Sequence, residues 1–419
     1  MLSSTSTLYT QKKKKKKKKS LLVREDRGCL LRPCNKGDFF FQMAGGVNRK
    51  ISAASARAHT RRAKQNSSFQ LPSGIFKKAL VLFFVGFLAW AYQAIQPPPP
   101  KICGTPDGPP VTASRIKLRD GRHLAYKEQG VSKDSAKYKI VNVHGFGSCR
   151  HDTIAKFLSP EVVEELGIYI LSFDRPGYGE SDPDPTRTVK SLALDIEELA
   201  DQLGLGPKFY IVGFSMGGQV LWSTLKYIPH RLAGAVLLAP VVNYWWTGFP
   251  SNLSNEAYNQ QFWNDQWFLR VAHHAPGLTY WWNTQKWFPY SSVVAQSHDV
   301  LSRQDKEIIK SPRRQSREEY LAQVTQQGKY ESLFQDMNVG FGKWEFSPVE
   351  LENPFPNNEG SVHLWQGDED VLVPVSLQRH IAQQLPWIHY HELPGAGHLF
   401  PEAEGMADTI FKELLVGKN

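Results

Sequence analysis

The stretch FYIVGFSMGGQVLWSTLKYI, residues 209–228, decides the fold of this chain. It begins with a short apolar run that predicts a buried strand and ends with ten residues that favour a helix. Between them, Gly213 and Gly217 flank Ser215 and leave room for a sharp turn. Such a turn between a strand and a helix holds a serine in a strained, exposed position. The pattern therefore predicts Ser215 as a nucleophile, with a simple helix N-cap serine as the alternative.

Short apolar segments alternate with helical segments on both sides of this turn. Residues 191–204, SLALDIEELADQLG, place leucine and isoleucine at helical spacing. Residues 115–128 predict a hairpin that turns at Asp120-Gly121, because Asp-Gly tolerates the positive φ of tight turns. Strands that are apolar on both faces and separated by helices predict an α/β fold with a mainly parallel sheet covered on both sides. The predicted strands are KIVNV at 139–143, IYILSF at 168–173, FYIVG at 209–213, AVLLA at 235–239 and VHLWQ at 362–366.

This alternation stops between Pro240 and about Trp344. The intervening residues contain no clear strand and are rich in tryptophan, including Trp245, Trp246, Trp263, Trp267, Trp281, Trp282 and Trp287. Most of these rings are expected to form the core of this segment itself. We therefore expect a helical insertion at 241–344, between a first part of the core at 111–240 and a second part at 345–419.

A serine hydroxyl becomes an effective nucleophile beside a base that a carboxylate orients. GDEDVLVP, residues 367–374, follows a predicted strand and offers Asp368, Glu369 and Asp370 as that carboxylate. Asp370 is the preferred acid, because it lies third after Gly367 on the loop that leaves the strand. Asp368 and Glu369 remain the alternatives.

The preferred base ends the motif GAGH, residues 395–398. A glycine-rich loop gives His398 the freedom to reach Ser215. His389 and His391 are the alternatives, but they alternate within the predicted strand IHYHEL and are expected to be structural. The sequence thus predicts a catalytic triad of Ser215, Asp370 and His398.

A candidate oxyanion hole follows the strand KIVNV, in the motif HGFGS. A turn at this point can direct the main-chain N–H of Phe146 at a substrate carbonyl, opposite the N–H of Met216. His144 in the same turn is expected to pack beside the loop. Asp174, in the glycine-rich DRPGYGES, is expected to hold its own loop in place.

Taken in this order, HGFG, DRPGYGES, GFSMGG, GDEDVLVP and GAGH resemble the motifs of the α/β-hydrolase superfamily, in its esterase/lipase-like branch. The resemblance covers about residues 111–417. It implies a triad in the chain order serine, acid, histidine, and a cap over the active site at 241–344. Epoxide hydrolases and haloalkane dehalogenases of this fold use an aspartate as nucleophile, so Ser215 speaks against both activities.

We expect a serine hydrolase that cleaves small-molecule carboxylic esters, with no cofactor and no metal; the resemblance is specific for the fold and the triad but not for the substrate. The aromatic insertion favours apolar acyl or aryl groups, because ligand pockets are mostly apolar. Two alternatives stay open. One is a ligand-binding, receptor-like protein with little turnover, and the other is an acyltransferase or C–C hydrolase that uses the same triad.

The net charge of +10 does not predict nucleic-acid binding once it is located along the chain. Residues 1–78 carry 20 Lys and Arg against 3 Asp and Glu, whereas the remainder carries 30 against 37. The basic charge therefore belongs to the N-terminal arm, and no basic and aromatic recognition module follows it. Cys29, Cys34, Cys103 and Cys149 lack the CxxC spacing of a zinc site and leave the redox compartment open.

The N-terminal 110 residues lie outside the resemblance. Residues 1–74 form a basic arm that we expect to be disordered. Within this arm, residues 1–42 are interpreted as a translated leader or gene-model artefact. The alternative is a polybasic tail that binds anionic lipid. Residues 75–96 hold an apolar run long enough for a transmembrane helix. A proline-rich linker, 97–110, follows and would form a stiff spacer.

Lys and Arg are massed before the predicted span. The positive-inside rule then predicts a single-pass protein with a cytosolic N-terminus and a lumenal or extracellular hydrolase domain. The alternative is an organelle, a mitochondrion or plastid, because residues 43–73 are rich in Arg, Ser and Ala and contain no acidic residue. The glycosylation sequons at Asn66 and Asn252 would report on this orientation.

Overall fold

An eight-stranded sheet forms the centre of the chain. The computed structural model describes residues 73–295, 297–310 and 317–417. The order across the sheet is β1-β2-β4-β3-β5-β6-β7-β8; β1 and β2 are antiparallel to their neighbours, and the other pairs are parallel. The strands are β1 (Ser114–Lys117), β2 (His123–Gly130), β3 (Tyr138–Val143), β4 (Ile168–Phe173), β5 (Phe209–Phe214), β6 (Leu232–Leu238), β7 (Val362–Gly367) and β8 (Ile388–Leu393).

The predicted strands agree with the observed ones to within a few residues, so the mainly parallel sheet is confirmed. The hairpin is also confirmed, since β1 and β2 are joined through Gly121 at a φ of +92°. The expectations that fall on residues 1–72, including the basic arm, Asn66, Cys29 and Cys34, lie outside the described residues.

Helices connect the strands and continue through the insertion. In the described ranges they are α1 (Ser73–Ile95), α2 (Pro160–Leu166), α3 (Val189–Gln202), α4 (Met216–Tyr227), α5 (Ser251–Gln260), α6 (Trp263–His274), α7 (Thr279–Thr284), α8 (Arg303–Ile309), α9 (Arg317–Val324), α10 (Gln335–Phe341), α11 (Val375–Gln384) and α12 (Met406–Val416). A π-helical turn, Tyr330–Phe334, precedes α10.

Two hydrophobic clusters, one on each face of the sheet, hold the helices against it. Ile211 in β5 belongs to the first cluster and Val212 to the second, because successive side chains of a strand point to opposite faces. The first cluster includes side chains of α3, α4 and α11, and the second includes side chains of α2 and α12. Burial of each such side chain stabilises the fold by about 1.5–3 kcal/mol.

The chain between β6 and β7 folds into α5–α10, and its described residues form no strand, as expected for a helical insertion. Its tryptophans fall into three groups, and Trp245, Trp281, Trp282 and Trp344 are half-buried. Trp246 is buried, whereas Trp263, Trp267 and Trp287 are 58%, 44% and 78% exposed. The expectation that most of these rings form the core of the insertion therefore does not extend to these three.

Helix α1 is the apolar segment expected to anchor the protein. Residues Gly74–Ile95 are long and apolar enough to cross a membrane, and most of their hydrophobic side chains are exposed, Phe83 by 76%. A lipid bilayer would cover such a surface. The helix ends at Ile95, directly before Gln96 and the prolines Pro97–Pro100. This finding is compatible with an anchor; a signal sequence has the same length and composition.

Candidate active site

Ser215 lies on the sharp turn between β5 and α4. Its φ of 55° and ψ of −118° are a combination that non-glycine residues rarely adopt, at a cost of about 1–3 kcal/mol. Its N–H donates to the carbonyl oxygen of Leu238 at 2.8 Å, which ties the turn to β6. A Cβ on Gly217 would lie 2.2 Å from the carbonyl oxygen of Val143, so this position requires glycine. The GFSMGG motif thus forms the strained turn that its sequence predicts.

His398 lies between Ser215 and Asp370. Its Nε2 is 3.0 Å from Oγ of Ser215, and its Nδ1 is 2.8 Å from Oδ2 of Asp370. Because a carboxylate accepts at Nδ1, the proton of the neutral imidazole is held there and Nε2 faces the serine hydroxyl as an acceptor. All three residues are buried. The fold therefore brings together three residues that lie far apart in the sequence.

Four hydrogen bonds hold the carboxylate of Asp370. Oδ1 accepts from the N–H groups of Leu372 and Val373 at 2.8 and 2.9 Å. Oδ2 accepts from Nε2 of Gln366 at 3.0 Å in addition to His398. Bonds of this charge-assisted kind are short and directional. They fix the oxygen that faces His398.

The alternative acids and bases lie elsewhere. Oδ1 of Asp368 accepts the N–H of Gly395 at 2.6 Å, and Glu369 is exposed to solvent. His391 is in β8, with its Nε2 3.0 Å from Nδ1 of His363 on β7. His389 is also in β8 and is exposed. Among the alternatives weighed for the triad, none lies within hydrogen-bond distance of Ser215 in the described part of the chain.

The loop that carries His398 is held by the insertion. The carboxylate of Asp305, in α8, accepts the N–H groups of His398 and Leu399 at 3.1 and 2.7 Å. Burial opposes a charge on His398, but the carboxylates of Asp370 and Asp305 outweigh it and raise the pKa of His398. The imidazole is therefore a stronger base than an isolated histidine.

The main-chain N–H groups of Phe146 and Met216 are free donors near Ser215. Met216 is the first residue of α4, and the first N–H groups of a helix have no partner within it. In the described ranges neither N–H donates a hydrogen bond. A Cβ on Gly145 would lie 3.3 Å from Cβ of Ser215, so the loop that leads into Phe146 passes directly beside the serine. Both residues line the same cavity as Ser215.

A buried arginine holds the loop at Gly145. Arg175 donates from Nε to the carbonyl oxygen of His144 and from Nη2 to that of Gly145, each at 3.1 Å. Its guanidinium also pairs with the buried carboxylate of Asp336 in α10. Burial and the charge of Arg175 lower the pKa of His144 well below its usual range. His144 is therefore a neutral packing and hydrogen-bonding group, as the sequence predicts.

Asp174 holds the neighbouring loop through a second buried network. It pairs with Arg150 and accepts the N–H of Glu180 at 3.0 Å. Arg150 also donates to Glu180 at 2.8 Å. Burial opposes the ionised form of Glu180, but hydrogen bonds from Thr112, Ala113 and Arg150 outweigh it and lower its pKa to about 2. The network joins the start of the core to the DRPGYGES loop.

A cavity of about 70 Å³ opens beside Ser215. Asp265 is the buried carboxylate in its wall, and Oδ1 of Asp265 accepts from the hydroxyl of Ser291 at 2.6 Å and from the N–H of Ser292 at 2.8 Å. The remaining walls are mainly apolar and come from both the core and the insertion. They include Phe146, Val241, Val242, Phe268, Leu269, Met337, Phe341, Leu372 and Val373.

Sequence reasoning did not identify Asp305, Arg175 or Asp336. The spacing of Ser302 and Asp305 is that of a capping box, which forms at the start of α8 and could have indicated this helix. Its contact with His398 could not be foreseen, because 93 residues separate the two. The same holds for Arg175 and Asp336, which are 161 residues apart.

The sequence profile of the alpha/beta hydrolase fold family matches residues 138–404. This range includes Ser215, Asp370 and His398, and it covers the parallel part of the sheet. The chain belongs to the alpha/beta hydrolase fold family. The family resemblance drawn from the motifs is thereby confirmed.

Relatives of this α/β-hydrolase match it over short segments. It is 33% identical over 121 residues to abhydrolase domain-containing protein abhd-5.2 of Caenorhabditis elegans, covering 27% of this chain and 25% of the relative. It is 29% identical over 106 residues to homoserine O-acetyltransferase of Geotalea uraniireducens (strain Rf4), covering 25% of each. The chain thus spans about a quarter of the length of these curated relatives. The structure of a thermophilic esterase from Thermogutta terrifontis is 20% identical, with a TM-score of 0.46, and the alignment covers 73% of this chain and 98% of the esterase.

Proposed function

We propose that this protein is a membrane-anchored serine hydrolase that cleaves carboxylic esters with apolar acyl or aryl groups. One observation carries the proposal. The hydroxyl of Ser215, on a strained turn, lies 3.0 Å from a histidine nitrogen whose other nitrogen is held at 2.8 Å by Asp370. Nucleophile, base and orienting acid in this geometry are the arrangement that acyl transfer through a serine requires.

In the first half of the reaction, Oγ of Ser215 attacks the ester carbonyl while Nε2 of His398 accepts its proton. Asp370 keeps the imidazole in the required tautomer and stabilises the positive charge that forms on it. The N–H groups of Phe146 and Met216 donate to the developing oxyanion, a contribution on the order of 3 kcal/mol each. His398 then returns the proton to the departing alcohol.

In the second half, water hydrolyses the acyl-enzyme. His398 accepts a proton from the water as its oxygen attacks the acyl carbonyl, and the same two N–H groups hold the second oxyanion. Collapse of this intermediate returns the proton to Oγ of Ser215 and releases the acid. Apart from the ester and the water, the groups that act in this cycle are side chains and main-chain donors of this chain.

The apolar walls of the cavity support the choice of substrate. Phe268, Leu269 and Phe341 come from the insertion and face the same space as Ser215. Apolar walls contribute binding free energy to an acyl or aryl group in proportion to the area they remove from water. We propose that residues 241–344 act as a cap that supplies these walls.

The anchor part of the proposal is supported by α1. In this proposal the exposed apolar helix crosses a bilayer, and Pro97–Pro100 form a short stiff spacer after it. With the basic residues before the helix, the proposed orientation has the hydrolase domain on the lumenal or outer side.

Acyl transfer to an alcohol is the second candidate function. One relative that shares 29% identity is a homoserine O-acetyltransferase, and transfer uses the same acyl-enzyme with an alcohol in place of water. Ser215 is buried, and residues of the insertion line the cavity beside it, an arrangement that would limit the access of water. The two functions differ only in the acceptor of the acyl group.

A fluorophosphonate probe and a series of p-nitrophenyl esters test the proposal. The wild-type chain in detergent is expected to be labelled and to hydrolyse esters, whereas Ser215→Ala loses both at unchanged thermal stability. Ser223→Ala is the matched control: this serine lies in α4, and its hydroxyl donates to the carbonyl oxygen of Val220 at 2.6 Å within the helix. It should be labelled like the wild type.

The outcomes separate the candidates. Full labelling of Ser215→Ala would show that another residue is the nucleophile. A folded wild-type chain that is neither labelled nor active would support the receptor-like alternative. If an added alcohol acceptor takes most of the acyl group at the expense of hydrolysis, the protein is an acyltransferase.

A further inference from the structure

Two histidines and a glutamate outside the candidate active site place three possible ligand atoms together. His363 in β7, His391 in β8 and Glu413 in α12 each offer one atom, and these atoms all lie within 4.8 Å of one another. β8 is the edge strand of the sheet, and α12 is the C-terminal helix. The cluster therefore lies where three separate elements meet.

The two imidazoles are spaced nearly as a shared ion would require. Nδ1 of His363 and Nε2 of His391 are 3.0 Å apart. Two histidine nitrogens bound to one tetrahedral zinc ion at about 2.0–2.1 Å lie about 3.4 Å apart. The rings need to move by only a few tenths of an ångström. The exposed side chain of Glu413 has the freedom to bring a carboxylate oxygen to a third position.

The surroundings of the two rings match those of metal-bound histidines. Nε2 of His363 is 2.9 Å from the hydroxyl of Ser361, and a proton held there leaves Nδ1 with a free lone pair. The ring of Trp365 stacks on that of His391 with the centroids 3.9 Å apart, which limits rotation of His391. A ligating histidine usually has such an oxygen partner for its second nitrogen.

In the unbound protein a hydrogen bond joins Nδ1 of His363 and Nε2 of His391. A metal ion bound by both nitrogens would replace that hydrogen bond, and Nδ1 of His391 would then carry the proton of this imidazole.

We infer that His363, His391 and Glu413 form a binding site for a divalent transition-metal ion of the zinc class. Two imidazoles and a carboxylate are ligands that zinc accepts, with a water molecule at the fourth position. The cysteine spacing indicates no zinc site, whereas these ligands come from three elements that only the fold brings together.

The ion would join the edge strand to the C-terminal helix. His363 lies four residues before the end of β7, about 13 Å along the strand at 3.3 Å per residue, and Asp370 follows only after that end. The site is therefore separate from Ser215, and it does not depend on the proposed hydrolase function. Its expected effect is on stability, because an ion that binds only the folded chain shifts unfolding toward higher temperature.

Titration of the full chain, in detergent and without an affinity tag, with zinc chloride tests this site. We expect one zinc ion per chain, a rise in the melting temperature, and a visible d–d spectrum of tetrahedral type when cobalt(II) replaces zinc. His391→Phe keeps the ring stack on Trp365 and removes the ligand nitrogen, so zinc binding should weaken by at least about tenfold. Glu413→Gln, at an exposed position, should weaken zinc binding to a smaller extent.

His230→Gln is the matched control, because His230 is an exposed histidine that pairs with Glu197 elsewhere on the surface. It should bind zinc like the wild type. The site is overturned if the wild-type chain binds no zinc, or if His391→Phe and Glu413→Gln both bind it as tightly as the wild type does. Fluorophosphonate labelling of Ser215 should be the same in all four proteins, so a failure here is distinct from a failure of the hydrolase proposal.

Discussion

The carboxylate of Asp305 accepts the main-chain N–H of His398 at 3.1 Å, so a residue of the inserted helices positions the candidate catalytic base. Asp305 also accepts the N–H of Leu399 and that of Ser302, and it is fully buried. The insertion therefore does more than cover the cavity. It holds the loop that presents the imidazole to Ser215.

Asp305→Asn should lower kcat/KM for ester hydrolysis by about tenfold, the effect of losing one hydrogen bond to a charged acceptor. The pH profile gives a second readout. His398 must be neutral to accept a proton, so activity is lost as the pH falls through its raised pKa. Removing the charge of Asp305 lowers that pKa, and the acid limb of the profile should move to lower pH. Asp299→Asn, at an exposed position before α8, is the control and should leave the acid limb of the pH profile in place. An acid limb that does not move in Asp305→Asn would contradict the positioning role of Asp305.

Asp370→Asn should lower kcat by roughly 10⁴-fold while the protein remains folded, by analogy with the same change in a well-studied serine protease triad. The amide cannot hold the proton on Nδ1 of His398 as a carboxylate does. Asp368→Asn and Glu369→Gln are the matched controls, since Asp368 bonds to the N–H of Gly395 and Glu369 is exposed. Steady-state kinetics on one ester compares the three. A larger loss of kcat in Asp368→Asn than in Asp370→Asn would show that Asp370 is not the acid of the triad.

Asp336→Asn should lower the free energy of unfolding by about 3–5 kcal/mol, because it leaves the buried guanidinium of Arg175 without its counter-charge. Asp201→Asn is the control; its side chain is 61% exposed and pairs with Arg231, and it should cost less than about 1 kcal/mol. Urea unfolding measures both. Equal losses of unfolding free energy in the two variants would show that the buried ion pair contributes no more to stability than the exposed one.

A chain expressed with its N-terminal segment should carry one N-linked glycan at Asn252, lost in Asn252→Gln, if α1 spans a membrane with its N-terminus in the cytosol. Asn252 is exposed in α5, and the sequon at Asn66 would be on the opposite side. Endoglycosidase digestion and protease protection of intact vesicles are the measurements. A glycan at Asn66, or digestion of the hydrolase domain from the cytosolic side, would reverse the orientation.

Ser215 and its turn could be predicted from the sequence because the constraint is local. A strand, two small residues and a helix define the conformation of six consecutive residues, and the structure shows the same strained φ and ψ that the motif requires. The strands were predictable for a similar reason, since a strand buried on both faces must be apolar at every position. The choice of Asp370 over Asp368 came from its place on the loop after β7.

The sequence by itself determined the fold class, the parallel strands and the strained serine, since these depend on short-range patterns, and the family resemblance implied the order of acid and histidine. Only the tertiary structure decided which groups meet. It placed Asp305 on the loop of His398, Arg175 between Gly145 and Asp336, and His363 beside His391 and Glu413. These contacts join residues from different elements, and no local pattern encodes a distance between elements that pack together only when the core forms.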